Sequence, residues 1–65
     1  MTRDTAVAVA KMLHEARCNA LWDHWTNGTP EPKDSDYGYK HGWFQLGEFS
    51  IGAHEYAPGP TYDVD

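Results

Sequence analysis

Hydrophobic positions between residues 42 and 56 mirror one another about the dipeptide Gly47-Glu48, in the segment GWFQLGEFSIGAHEY. A two-residue loop with glycine at the positive-φ position of a type II′ turn predicts a hairpin with this dipeptide at its tip. One face of the hairpin is then apolar throughout, and its predicted pairs are Leu46 with Phe49, Phe44 with Ile51 and Gly42 with Ala53. Such a face is typical of a sheet buried on one side, so the hairpin is first of all a core element.

The opposite face of the predicted hairpin is wetter. Its pairs are Gln45 with Ser50, Trp43 with Gly52, His41 with His54 and Tyr39 with Tyr56. The same register puts Glu55 on the apolar face, opposite Lys40. Aromatic and histidine side chains beside carboxylates are typical of protein-binding surfaces. We therefore interpret Tyr39, Trp43 and Tyr56 as candidate partner-binding residues.

The first part of the chain predicts a helix. Thr2 or Asp4 can cap its start, while Asn27-Gly28 followed by Pro30 marks its end. An apolar stripe at helical spacing is formed by Val9, Met12, Leu13, Ala16 and Ala20. We expect this stripe to cover the apolar face of the hairpin.

Farther along the predicted helix, the apolar direction shifts at Leu21, Trp22 and Trp25. The shift predicts either a kink or a second short helix that begins near Cys18. Because a buried indole contributes a large apolar area, we interpret Trp22 and Trp25 as core anchors.

The order of helix and then hairpin predicts one α+β domain over residues 1–65, with the helix and a small antiparallel sheet as two layers. Residues 29–38 read TPEPKDSDYG and predict an exposed polar loop. Residues 57–65 contain two prolines and a glycine before alternating acidic and apolar residues. They predict either an edge strand or a mobile tail.

Charge is unevenly placed along the chain. Residues 1–28 carry equal numbers of basic and acidic residues, so the whole net charge of −5 lies in residues 29–65. Nucleic acid and anionic membranes would repel this half, whereas a basic protein surface would attract it. The candidate partner-binding acids are Glu31, Asp34, Asp36, Glu48, Glu55, Asp63 and Asp65. For each of them taken alone, ordinary solvated surface charge is an equally good interpretation.

Cellular location is indicated by the lone cysteine and by the N-terminal apolar run. Cys18 has no partner for an internal disulfide, which fits a reducing cytoplasm, and we expect its thiol to be buried and unreactive. The apolar run Ala6 to Ala10 is stopped by Lys11, too early for a signal-peptide core or a membrane span. The sequence therefore predicts a cytoplasmic protein that does not bind membranes.

Histidines and carboxylates were considered for metal binding and catalysis. His14 and His24 are not at the spacing of one helical face, while the predicted neighbours His41 and His54 would supply two ligands of an incomplete metal site. We expect solvated or hydrogen-bonded histidines, with no metal and no cofactor. The sequence contains no phosphate-binding glycine loop and no catalytic motif of the HExxH or GxSxG type, so an enzyme is not expected.

The whole chain, from MTRDTAVAVAKMLHEARCNALWDHW through KHGWFQLGEFSIGAHEY to its acidic end, resembles the small acidic anti-CRISPR proteins encoded by phages, such as those directed at a type I Cascade. These proteins share no common motif, so the resemblance assigns no residue by position. It implies a rigid, negatively charged inhibitor that occupies the lysine- and arginine-rich groove of a CRISPR effector where duplex DNA binds. The alternative is a small interaction or assembly subunit that uses the aromatic sheet face.

Overall fold

One helix and a four-stranded antiparallel sheet make up the part of the chain that the computed structural model describes, which is residues 1–56 and 59–64, with backbone alone for residues 55 and 56. Helix α1 spans Arg3–Asn27, and a short 3₁₀ helix follows at Asp34–Tyr37. The strands are β1 (Tyr39–Lys40), β2 (Trp43–Leu46), β3 (Phe49–Tyr56) and β4 (Gly59–Val64), in the spatial order β1-β2-β3-β4. The predicted α+β arrangement is confirmed.

The central hairpin forms in the predicted register. Phe44 pairs with Ile51 and Leu46 pairs with Phe49. Gly47 has φ 61°, and His41 is the one non-glycine residue with positive φ in the described part of the chain, so Glu48 keeps a negative φ. This combination is that of a type II′ turn.

For the residues that precede Trp43, the strand pairing differs from the prediction, because the chain turns back at His41-Gly42. Both residues have positive φ, 50° and 99°, as a tight two-residue hairpin turn requires. Strand β1 therefore folds onto β2, so that Tyr39 pairs with Phe44 and Lys40 with Trp43. The expected pairs Gly42 with Ala53, His41 with His54, Tyr39 with Tyr56 and Lys40 with Glu55 are wrong.

The far side of β3 is occupied by β4, which pairs from Tyr56↔Gly59 to Ile51↔Val64. Of the two alternatives for the C-terminal segment, the edge strand is confirmed for Gly59–Val64. The predictions for residues 57, 58 and 65 lie outside the described residues.

Helix α1 is continuous. The Thr2 hydroxyl accepts a hydrogen bond from the Thr5 backbone N–H at 3.2 Å, and Gly28 closes the other end in the left-handed conformation with φ 71°. The predicted second helix that begins near Cys18 is wrong, because α1 is a single helix from Arg3 to Asn27 and neither proline nor glycine interrupts it. Among the described residues, no helix combines the length and apolar character that a membrane crossing needs.

The core is formed by two alanines of α1 and two large side chains of the sheet. Ala6, Ala10, Phe44 and Ile51 are fully buried. Half-buried apolar residues that surround them are Val7, Leu13, Tyr37, Tyr39, Leu46, Phe49, Ala53, Tyr62 and Val64. Because alanine is small, the helix backbone can lie close to the sheet at these two positions.

The helix presents a different face to the sheet from the one we predicted. Met12, a member of the predicted stripe, is 71% exposed, and Ala16 is exposed, whereas Leu13 packs against the core. The interpretation of Trp22 and Trp25 as core anchors is also wrong, because they are 64% and 69% exposed. The large apolar residues predicted one buried face of the helix, but the alanines that let the helix approach the sheet lie on another face.

His14 continues the buried face of α1, four residues after Ala10. Its Nδ1 lies 2.9 Å from the hydroxyl oxygen of Tyr62 on β4, and its ring meets the Tyr62 ring edge-on at 5.8 Å between centroids. A buried histidine in a hydrogen bond was one of our two expectations for the histidines. The contact joins the helix to the edge strand.

Replacement of Phe44 by alanine tests this core. The variant removes the larger of the two fully buried sheet side chains. We expect its free energy of unfolding to fall by about 3 to 5 kcal/mol, most of the stability of a domain of this size. Urea denaturation followed by circular dichroism measures the change. Met12→Ala is the matched control on exposed surface and should change the value by less than about 0.5 kcal/mol; equal losses in both variants would place the core elsewhere.

Candidate functional site

One row of residues crosses all four strands on the face of the sheet that points away from the helix. It consists of Lys40, Trp43, Gly52 and Asp63, which are successive Cα partners on neighbouring strands. Since Phe44 and Ile51 point toward the helix, their chain neighbours Trp43 and Gly52 point outward. Three strand spacings of about 4.8 Å make the row roughly 14 Å wide.

Gly52 forms the floor of a shallow groove in this outer face, which we call the outer groove. The groove has a volume of about 420 Å³ and is lined by His41, Gly42, Trp43, Gly52, Ala53, His54 and Asp63. A Cβ atom on Gly52 would lie 3.2 Å from Nε2 of His54, closer than ordinary van der Waals contact. The missing side chain therefore lets the imidazole of His54 lie across the strand.

The two walls of the outer groove differ chemically. On one wall the rings of His41 and Trp43 are 6.0 Å apart and tilted by 48°. On the other, Nε2 of His54 lies 3.0 Å from Oδ2 of Asp63. Asp63 remains 74% exposed, so this contact is worth less than about 1 kcal/mol and leaves the carboxylate accessible to a partner. The groove thus combines an aromatic surface with an accessible carboxylate.

Glu48 lies at the tip of a turn that is braced by side-chain hydrogen bonds. Nε2 of Gln45 donates to the carbonyl oxygens of Gly47, at 2.9 Å, and Phe49, at 3.3 Å. The Ser50 hydroxyl donates to Oε1 of Gln45 at 2.8 Å. These bonds hold the backbone that carries the exposed Glu48.

Three candidate acids belong to the segment between α1 and β1, and β1 is the edge strand opposite β4. Glu31, Asp34 and Asp36 are all exposed, and the last two belong to the 3₁₀ helix that we had predicted as plain loop. Oδ1 of Asp34 accepts a hydrogen bond from Nε of Arg17 at 3.0 Å, so its charge is partly used to fasten the loop to α1. Gly38 closes the 3₁₀ helix by donating its N–H to the carbonyls of Asp34 and Ser35.

The candidate acids are therefore spread over the sheet end of the molecule and do not form one cluster. Asp36 lies beside β1, Glu48 at the β2–β3 turn and Asp63 on β4. The side chain of Glu55 and the whole of Asp65 lie outside the described residues. Among the candidate acids that the structure describes, Asp63 is the one that lines the outer groove.

The predicted aromatic face is smaller than expected. Tyr39 lies on the helix side of the sheet, with its ring 4.9 Å from that of Phe44 and the guanidinium of Arg17 above it at 4.3 Å. Tyr39 is thus a support for the core and the loop. The side chain of Tyr56 lies outside the described residues, so Trp43, which is 37% exposed, represents the predicted patch.

The sequence placed His41 and His54 beside Trp43 on the predicted binding face, where they were also considered as metal ligands, but they were not among the candidate partner-binding residues. In the part of the chain described, no three histidine, cysteine or acidic side chains are grouped to hold a metal ion. Both histidines line the outer groove with Trp43. Their predicted position on the same face as Trp43 is the signal that identifies them.

Comparisons of the chain with family models, with curated proteins and with solved structures find no match. The outer groove and the distribution of charge are therefore the basis for assigning a function.

Gly52→Ala tests the geometry of the outer groove. The new methyl group should turn the half-buried His54 ring away from Asp63, because a Cβ only 3.2 Å from Nε2 is too close. We expect changed imidazole NMR signals and a stability change below about 1 kcal/mol, since the lost contact is to an exposed carboxylate. Gly59→Ala is the control, because a Cβ there meets nothing within 4 Å. Unchanged His54 signals in the Gly52 variant would contradict the described packing.

Proposed function

We propose that this protein is an inhibitor that binds the basic DNA-binding surface of a nucleic-acid-binding protein and excludes DNA from it. The observation that carries the proposal is the concentration of the net charge of −5 in residues 29–65, together with the exposure of the acids there that the structure describes. The resemblance to phage-encoded anti-CRISPR proteins names the partner class, a subunit of a CRISPR effector such as Cascade. The site of action is then the cytoplasm of the bacterial host.

Carboxylates can replace phosphates on such a surface. A DNA-binding groove presents lysine and arginine side chains that pair with phosphate oxygens, and carboxylates form charge-assisted hydrogen bonds with the same groups. Two lysines, Lys33 and Lys40, oppose seven acids in residues 29–65. The excess of negative charge also steers association toward a basic partner.

Rigid presentation of the acids supports the proposal. Each flexible side chain that becomes ordered on binding costs about 0.5 to 1.5 kcal/mol of binding free energy. Glu48 lies on a braced type II′ turn, Asp36 in a closed 3₁₀ helix, and Asp63 on a paired strand beside His54. The backbone under these three acids therefore needs little reorganisation.

Such a protein inhibits by binding its partner, without a catalytic step. The proposed mechanism is steric and electrostatic exclusion of duplex DNA, in which the protein neither contacts nucleic acid nor changes it chemically. The acids at both sheet edges and at the β2–β3 turn would contact cations over a surface at least as wide as the roughly 14 Å row across the strands.

Competition between the protein and labelled target duplex for purified type I Cascade tests the proposal. The informative variant replaces Asp36, Glu48 and Asp63 by their amides, which removes three of the charges in the net −5 and keeps the side-chain shapes. At about 0.5 kcal/mol for each charged pair, we expect roughly tenfold weaker inhibition. Inhibition by the parent protein should also weaken as salt rises.

The matched control replaces Asp4, Glu15 and Asp23, the three acids of the helix, by their amides. It changes the net charge by the same amount but leaves residues 29–65 intact. Inhibition should stay within about twofold of the parent, since distant charges are screened. Unchanged DNA binding by Cascade at saturating parent protein, or equal losses in the two variants, would refute recognition by the acids of the sheet end.

A second candidate function is an interaction or assembly subunit that uses the outer groove, and the exposed Trp43 over the Gly52 floor favours it. An aromatic anchor would give binding with weak salt dependence. Trp43→Ala should then weaken partner binding by at least about 2 kcal/mol. Loss of binding in this variant, with full binding by the triple amide variant, would replace the DNA-mimic proposal by this one.

A further inference from the structure

The second half of α1 extends beyond the core. A helix of 25 residues is about 37 Å long at 1.5 Å per residue, which matches the longest dimension of the molecule, 37 Å. The buried residues of the helix, Ala6, Ala10 and His14, all belong to its first half. Residues 15–27 contain no buried side chain.

One side of this second half is covered by the chain that follows it. Nδ1 of His24 is hydrogen-bonded to the carbonyl oxygen of Thr29, and Arg17 is paired with Asp34. Residues 28–34 thus run back along the helix. These two contacts lie on the side of the helix that carries Arg17 and His24.

This half of the helix also carries an apolar stripe. Cys18, Leu21, Trp22 and Trp25 follow the spacing i, i+3, i+4 and i+7, which places them on one helical face. The two tryptophans are 64% and 69% exposed, and Cys18, Leu21 and Trp25 line a shallow groove of about 330 Å³ together with Arg17. Two large exposed indoles on one face indicate an interaction surface. We call these four residues the tryptophan stripe.

We propose that the tryptophan stripe binds the same stripe of a second copy of this chain, with the two helices packed antiparallel. The distribution of charge along the chain favours a second copy as the partner of the stripe. Helix α1 carries three acidic and three basic residues, whereas residues 29–65 carry the whole −5, so two copies repel each other less at their helices than at their sheets. Antiparallel packing about a two-fold axis also lets each stripe meet the same stripe of the partner over its whole length, as isologous dimers do.

The available area fits a dimer of moderate affinity. Each exposed indole contributes roughly 150 Å², so the four in a two-fold dimer supply about 600 Å² of the 1,200 to 2,000 Å² that specific interfaces bury. Leu21, Cys18 and the side chains that flank the stripe would supply the remainder. Cys18 also lines a groove with Pro60 and Tyr62, so the contact would border the β4 edge of the sheet, while the outer groove lies on the sheet face that points away from the helix.

Sedimentation equilibrium under reducing conditions tests the proposal, at concentrations from about 1 µM to about 1 mM, the range in which such an interface would dissociate. The average mass should rise from 7.4 kDa toward twice that value. Trp25→Glu should raise the dissociation constant at least about 30-fold, as expected for an aromatic anchor. Met12→Glu, at a residue of the same helix that is 71% exposed and lies outside the stripe, is the matched control and should leave it within about twofold.

A second measurement follows the indoles directly. In Trp43→Phe the remaining tryptophans are the two of the stripe, and their fluorescence emission should shift to shorter wavelength as concentration rises. A mass of 7.4 kDa throughout the range overturns the proposal. A dimer that Trp25→Glu leaves intact also overturns it and assigns the contact to another surface, such as the β4 edge. The circular dichroism spectrum of each variant confirms that it is folded. None of these measurements depends on the proposed inhibition of DNA binding.

Discussion

Two alanines of α1 packed against Phe44 and Ile51 determine how the two layers of this protein meet. These four residues are fully buried, and alanine is small enough for the helix backbone to approach the sheet closely. One turn farther on, His14 extends the contact to Tyr62 through a hydrogen bond of 2.9 Å. Because this short segment holds the helix to the sheet, it also determines which surfaces stay open: the outer face of the sheet and the second half of the helix.

The two open surfaces have opposite character. Residues 29–65, which form the sheet and the segment that leads to it, carry the whole net charge. Helix α1 has no net charge as a whole and presents Trp22 and Trp25. An acidic surface and an apolar surface at different ends of so small a molecule suit two different contacts, one governed by Coulomb attraction and the other by apolar burial.

The elements that could be predicted from the sequence have strong local signals. The central hairpin follows from alternation with period two and from a glycine that supplies the positive φ of its turn, and the helix ends follow from Thr2 and Gly28. The buried face of the helix could not be predicted, because its alanines carry a weak hydrophobic signal beside exposed Met12 and Trp25. The buried face is the one that lets the helix backbone approach the sheet closely, and the amino-acid composition does not reveal how closely two elements pack.

The candidate site was predictable in part for the same reason. Trp43 was placed on the outer face correctly, since its position depends on the hairpin register. Tyr39 was misplaced because the His41-Gly42 turn reverses the chain two residues later, and a histidine with positive φ is a weak turn signal. Asp63 acquired its neighbour His54 through β4, whose pairing depends on contacts distant in the chain.

The alternation of the strands has a consequence for how this protein can evolve. Along the row from Lys40 to Asp63, each outward side chain adjoins an inward neighbour that carries the packing, such as Trp43 beside Phe44. Substitutions on the outer face therefore cost little stability, whereas the inward positions are constrained by volume. Natural variants can therefore exchange one set of surface residues on the outer face for another while the scaffold stays unchanged.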